Sequence, residues 1–227
     1  SLGVVSGPEV NVITVEDPVE YRMEGINQMQ VNSKAGLTFA NALRSILRAD
    51  PNIVMVGEIR DHETAQIAVE AALTGHLVLS TLHTNDAPSA ATRLLELGIE
   101  PFLVASSLDC VMAQRLARRL CDECKRSYKP KASHLEVAGV PDQYRDGEFF
   151  EAVGCARCTQ TGFRGRIAVQ EVMTVTDDIE ALILDRASST EIATVALAEG
   201  MVNLRGDGFA KVAAGLTSIE EVLRVVA

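Results

Sequence analysis

Residues Asn52 to Thr84, NIVMVGEIRDHETAQIAVEAALTGHLVLSTLHT, restrict the fold more than any other stretch. Two apolar runs rich in β-branched residues, Ile53 to Val56 and Leu77 to Leu82, read as strands, and the Ala-rich segment between them, about Glu63 to Leu73, reads as a helix stopped by Gly75. Strand, helix and strand in that order describe an open parallel α/β sheet, whose ligands bind just past the carboxyl ends of the strands. Glu58 follows the first run and His83 the second, so a carboxylate and a histidine are expected to converge there. His76 enters the second run. Seven residues of extended chain place His76 and His83 about 23 Å apart, too far to share one metal ion, so they must act separately.

The rest of the chain extends this pattern. Val12 to Val15 reads as a buried parallel strand, and Glu16, Asp17 and Glu20 follow it directly, as suits a site that holds a metal-bound or attacking water. From Thr38 a helix is expected, with Phe39, Leu43, Ile46 and Leu47 on one face, Arg44 and Arg48 on its surface, and Asp50-Pro51 as its end. Asn85 or Asp86 can cap a helix from Pro88 to Leu97. Pro101 opens a further helix whose stripe of Phe102, Ala105, Leu108, Met112 and Leu116 is expected in the core, with Met112 as gap-filler and Cys110 as a buried small hydrophobe. Ile167 to Val175 is expected to rejoin the main sheet. The C-terminal part reads as helical, with Ser188/Glu191 and Thr217/Glu220 at capping-box spacing and Ile179, Leu182, Ile183, Ile192, Val195, Val222 and Leu223 as core.

A second signal is chemical. Cys121-Asp-Glu-Cys124 and Cys155-Ala-Arg-Cys158 are two C-x-x-C pairs separated by 30 residues, a donor set for one tetrahedral zinc site with four cysteine ligands. Two disulfides would need an oxidising compartment, for which nothing in the sequence speaks. Residues 127 to 154 between the pairs are expected to be an irregular insertion tied at its base.

A net charge of −10 argues against a general nucleic-acid surface. The exception is Arg115 to Lys131, where Arg115, Arg118, Arg119, Lys125, Arg126, Lys129 and Lys131 face only Asp122 and Glu123; this reads as a solvated face or as an interface with an acidic neighbour. No apolar run approaches the roughly 18 to 20 residues that span a bilayer, and no secretory leader pattern opens the chain, so a cytoplasmic setting is expected.

Together these motifs resemble the ATPases of type II secretion and type IV pilus assembly, in particular the pilus extension motors. Val12 to Tyr21 (VITVEDPVEY) is similar to that family's Asp box, Asn52 to Asp61 (NIVMVGEIRD) to its atypical Walker B, and Gly75 to Ala87 (GHLVLSTLHTNDA) to its His box. RSILRADP, QRLARRLC and the tetracysteine element ending in GFRGR fit as well, so the likeness runs through essentially the whole chain. It implies a partial RecA-like P-loop NTPase domain of α/β class, with a tetracysteine zinc insertion and a helical C-terminal subdomain. The corresponding expected boundaries are 1–120, 121–165 and 166–227, the last including a final core strand.

The resemblance assigns Glu16 to positioning Mg2+ or the attacking water and Glu58 to acting on that water. It assigns His76 and His83 to sensing the γ-phosphate and linking it to neighbouring subunits, and Cys121, Cys124, Cys155 and Cys158 to zinc. It further implies ATP and Mg2+ as ligands of the intact protein, a homohexamer, an inner-membrane platform protein as partner, and a location at the cytoplasmic face of the inner membrane without integral insertion. Retraction motors generally lack the tetracysteine module, so its presence favours assembly or export.

No G-x-x-x-x-G-K-[ST] phosphate loop occurs in the 227 residues. In the family it comes just before the Asp-box strand, so Ser1 to Val5 resemble the tail of its helix, and a C-terminal fragment with little ATPase activity of its own is expected. The rival reading is a non-catalytic zinc-containing module docking to the platform protein. DNA translocation, as in related conjugation ATPases, suits the acidic balance poorly.

Overall fold

The computed structural model of the chain describes residues 2–226. In order these form α1 (Leu2–Val5), β1 (Val12–Glu16), β2 (Asn27–Gln30), α2 (Phe39–Ile46), β3 (Ile53–Val56), α3 (His62–Leu73), β4 (Leu77–Ser80), α4 (Pro88–Glu96), α5 (Pro101–Ser107) and β5 (Cys110–Leu120). There follow β6 (Arg126–Tyr128), α6 (Ala132–Val137), α7 (Asp142–Arg145), β7 (Phe149–Glu151), β8 (Phe163–Thr174), α8 (Asp177–Leu184), α9 (Ser189–Ala198), α10 (Leu204–Ala213) and α11 (Ile219–Val225). Two compact units result, one of Ser1–Asp109 with Val175–Val195 and the other of Cys110–Thr174 with Ala196–Ala227.

The first unit is the parallel α/β layer expected from Asn52 to Thr84. Its sheet runs β2-β1-β3-β4 with every pairing parallel, Val15 standing opposite Val56 and Val56 opposite Ser80. β1 and β3 are buried almost throughout, as strands covered on both faces must be. Thr38 caps α2, accepting from the Asn41 N–H at 3.3 Å, and Asp61 caps α3, accepting from the Thr64 N–H at 2.8 Å. Leu43 and Ile46 turn inward, while a short 3-10 turn and Asp50 in the left-handed region (φ 50°) end the α2 segment before Pro51. β4 is shorter than the run Leu77 to Leu82 that announced it and lies at the sheet edge, with Leu77 exposed. Asp86, of the two candidate caps, accepts from the Ser89 N–H at the start of α4.

The second unit corrects several expectations. The helix opened by Pro101 stops at Ser107, and the residues assigned to its continuation form the long strand β5. Ala113 and Ala117 face the interior of this unit, while Met112 and Leu116 lie on the outer side, exposed, as does Cys110. Phe102, on α5 of the first unit, is exposed as well. A spacing of four fits a strand face as well as a helix face, and here the small residues go inside, where α10 and α11 approach the strands closely. Ile167 to Val175 does not rejoin the parallel sheet: β8 pairs antiparallel with β5, Met112 opposite Val172 and Leu116 opposite Ala168.

Residues 127 to 154 are not irregular either. β6 and β7 pair antiparallel, and Leu135, Ala138, Val140 and Phe149 share a core with Phe209, Val212, Ile219 and Val222. At the C-terminus Ser188 and Glu191 form the expected capping box, Glu191 accepting from the Ser188 N–H at 2.8 Å. The second cap lies one residue further on than expected: Ser218, not Thr217, caps α11, accepting from the Glu221 N–H at 3.3 Å. The Glu221 side chain does not return to the cap; fully buried, it accepts from Arg118 Nη2 at 2.7 Å, from the Arg118 N–H at 2.8 Å and from Arg224 Nη2 at 2.5 Å. Burial pushes the Glu221 carboxyl up, but the two guanidinium groups outweigh it and hold the group at about 2.

Candidate functional site

Parallel neighbours in register bring the ends of β1, β3 and β4 level, so the residues just past them gather at one sheet edge. Gly57 keeps that edge tight. Its N–H donates to the Val15 carbonyl at 2.8 Å, and a Cβ at Gly57 would stand 3.2 Å from that same oxygen. From the other side the Thr81 hydroxyl donates to the Gly57 carbonyl at 2.7 Å, and the Ile59 N–H to the Thr81 carbonyl. The Gly57-Glu58 step is therefore clamped between two strand ends.

Glu58, with 16% of its side chain exposed, meets His83 as expected: Nε2 lies 3.0 Å from Oε2. A carboxylate can only accept, so Nε2 carries the proton in this contact. Arg60 donates through Nε to the same oxygen at 2.5 Å. Partial burial pushes the Glu58 carboxyl up, but the bonds from His83 and Arg60 outweigh it and hold the group below the usual carboxylate range. At neutral pH it is an anion with one oxygen engaged and able to orient a water with the other.

Glu16 ends the adjacent strand, half-buried, and its Oε1 accepts from Thr14 Oγ1 at 2.7 Å and from Gln28 Nε2 at 2.9 Å. His76 stands apart from this group. Its Nδ1 lies 2.9 Å from the Ala71 carbonyl and 3.2 Å from Thr74 Oγ1, which ties the ring to the end of α3. Arg60, Thr14 and Gln28 went unnoticed in the sequence. The first two were legible, since each lies two residues from the carboxylate it serves, on the same side of an extended chain. Gln28 needs the register that sets it opposite Thr14.

The four cysteines of the two pairs come together with all Sγ atoms within 4.8 Å of one another. The close separations are 4.0 Å for Cys121 and Cys155, 3.8 Å for Cys124 and Cys158, and 3.7 Å for Cys155 and Cys158. A tetrahedral ion with Zn–S bonds of about 2.3 Å sets its sulfurs about 3.8 Å apart, so the donor set fits Zn2+ in type and in spacing. Burial pushes the Cys158 thiol up, but the N–H groups of Cys155 and Gly162, each 3.2 Å from its sulfur, lead the interactions that bring it down to about 6. Burial and the three neighbouring thiols push Cys124 up to about 12. Such crowding is relieved when a divalent cation balances the thiolates.

The basic run finds its acids within the same unit. Besides Arg118 with Glu221, Arg119 and Lys125 pair with Asp122, and Arg126 with Glu151. Lys125 also donates to the Gly215 carbonyl at 2.9 Å and lies over the Phe150 ring. This run braces the fold more than it forms an open cationic surface. Among the described residues no helix is long and apolar enough to cross a membrane.

A family model described as Type II/IV secretion system protein matches residues 1–224. The type IV pilus assembly ATPase PilB of Thermus thermophilus is 51% identical over 220 residues, which cover 96% of this chain and 25% of that protein. The type II secretion system protein E of Pseudomonas aeruginosa is 50% identical over 225 residues, covering 99% of this chain and 44% of its own length. The chain thus spans less than half the length of these relatives. Among solved structures, the pilus retraction motor PilT with bound ADP superposes with a TM-score of 0.67 at 25% identity, covering 95% of this chain and 52% of that one.

Proposed function

The chain belongs to the Type II/IV secretion system protein family, and from that premise we propose that it supplies the water-orienting part of an ATP-hydrolysing motor for pilus assembly or type II secretion. The observation that carries this reading is the Glu58 carboxylate, held by His83 and Arg60 just past the end of β3, next to the Gly57 that lies beside Glu16 at the end of β1. Phosphoryl transfer depends on positioning and charge neutralisation, and these two carboxylates are fixed by a rigid sheet. Glu58 orients the attacking water. Glu16, with an oxygen to spare, fits a hard divalent cation, and bound Mg2+ would neutralise charge on the phosphates. His83 is mostly exposed and free to exchange Glu58 for a phosphate or a neighbouring subunit; His76 acts separately at the end of α3.

The working assembly in this reading is a homohexamer at the cytoplasmic face of the inner membrane, pushing on a platform protein. Zinc on Cys121, Cys124, Cys155 and Cys158 has a structural role, closing the insertion at its base. Since the 227 residues contain no phosphate loop, the chain alone hydrolyses ATP negligibly. Substituted for the matching residues of the Thermus PilB, it is expected to support turnover, and Glu58→Gln to abolish that turnover while ATP still binds. Retained turnover in Glu58→Gln overturns the assignment; turnover by the unsubstituted chain alone overturns its dependence on a phosphate loop.

A further inference from the structure

Glu16, like Glu58, is anchored through one oxygen, and its partners are uncharged groups of the sheet itself. Thr14, fully buried, has a single hydroxyl proton, and it goes to Oε1 of Glu16 at 2.7 Å. Gln28, standing opposite Thr14 on β2, gives one amide proton to the same oxygen at 2.9 Å and the other to the Tyr21 carbonyl at 3.0 Å. Its own Oε1 accepts the Met23 N–H at 2.8 Å. The amide orientation is thereby dictated by its partners. Flipped, it would set an oxygen against the carboxylate and an NH2 group against an N–H, with all three bonds lost. Among the described residues no hydrogen bond reaches Oε2.

We propose that Thr14 and Gln28 are positioning residues that lock Glu16 with Oε1 engaged inside the sheet edge and Oε2 presented to a divalent cation. The proposal rests on the reading of Glu16 as the cation-orienting carboxylate. Gln28 does this while also fastening the chain that follows: residues 17 to 26 are held by its bonds to Tyr21 and Met23, and by Gln30, whose side chain accepts the Val19 N–H at 3.3 Å. Gln30 stands opposite Glu16 in the ladder through its backbone, but its side chain bonds that loop and not the Glu16 carboxylate. It is therefore the control that separates holding the loop from holding the carboxylate.

The test uses the chain itself, labelled for NMR, with Mn2+ alone as the probe. Side-chain couplings report whether Glu16 keeps one rotamer, and paramagnetic broadening of its methylene signals reports cation binding. Wild type and Gln30→Leu are expected to show one dominant rotamer and the same Mn2+ response. Thr14→Val and Gln28→Leu are expected to show rotamer averaging at Glu16 and to need about tenfold more Mn2+, the usual size of effect when a ligand loses its supporting partner. Thr14→Ser, which keeps the hydroxyl, restores both readouts. An unchanged Glu16 rotamer in both Thr14→Val and Gln28→Leu overturns the proposal. Glu16→Gln separates the two levels of the argument. If it leaves Mn2+ broadening nearby intact, the cation reading of Glu16 fails, and the rotamer data still decide whether Thr14 and Gln28 hold it.

Discussion

Replacing Glu221 with glutamine tests whether one buried carboxylate ties β5 to α11. Its carboxyl is held at about 2 against an ordinary value of 4.5, and at about 1.4 kcal/mol per pH unit this corresponds to roughly 3 kcal/mol. The guanidinium heads of Arg118 and Arg224 are about half exposed (49% and 55%), and solvent screening brings the expected loss nearer to 2 kcal/mol. Because the folded state lowers this pKa, the stabilisation is fully present above the unfolded value, falls away as pH drops below about 4.5, and is gone near 2. The assay is urea unfolding followed by tyrosine fluorescence. Two of the three tyrosines, Tyr128 and Tyr144, pack against the core that contains Val222 of α11, and the chain has no tryptophan to mask them. Glu221→Gln should lower the unfolding free energy by about 2 kcal/mol at pH 7, and the gap to wild type should close as the pH approaches 2. Equal stability at pH 7, or a gap that does not depend on pH, refutes the reasoning.

Removal of metal by a chelator, or Cys121→Ser, is expected to abolish binding of one equivalent of zinc by elemental analysis and to speed amide exchange in β6 and β7. Gly162→Ala should weaken metal retention in a chelator competition, because residue 162 sits at φ +74° and the new Cβ would fall 2.5 Å from that of Ala152, displacing the N–H that donates to Cys158. Tyr128→Phe is expected to leave stability unchanged or to raise it by about 1 kcal/mol, since the hydroxyl is buried with no hydrogen-bond partner among the described residues; a clear drop in Tm would show that the oxygen is satisfied in solution.

The first unit was legible because its signals are local. β1 and β3 are short runs rich in β-branched residues, and Thr38 and Asp61 announce the helices that follow them. The pairing of Glu58 with His83 followed from strand ends alone. In the second unit the signals are not local. Leu135 and Phe149 belong to a core completed by Phe209 and Val222, so the intervening stretch looks structureless until the C-terminal helices are in place. In β5, hydrophobicity points the wrong way: Met112 and Leu116 face out and the alanines face in, so a reading that buries large apolar side chains must fail there. Glu221 was hidden by a one-residue ambiguity, because Thr217/Glu220 and Ser218/Glu221 satisfy the capping-box spacing equally well and only packing chooses between them.

The four-cysteine cluster also bears on how quickly the second unit can form. The β5–β8 ladder joins residues that the whole insertion separates in sequence, and such distant pairing is slow because loop closure precedes any gain from contact. Leu120, at one end of the ladder, immediately precedes Cys121, and its partner Phe163 lies a few residues beyond Cys158. Once a single ion holds the four sulfurs, the two strands start side by side and can zip outward from Leu120 and Phe163 toward Cys110 and Thr174. A metal ion bound by the four cysteines would act as a nucleation point, converting a long-range search into the closing of a hairpin.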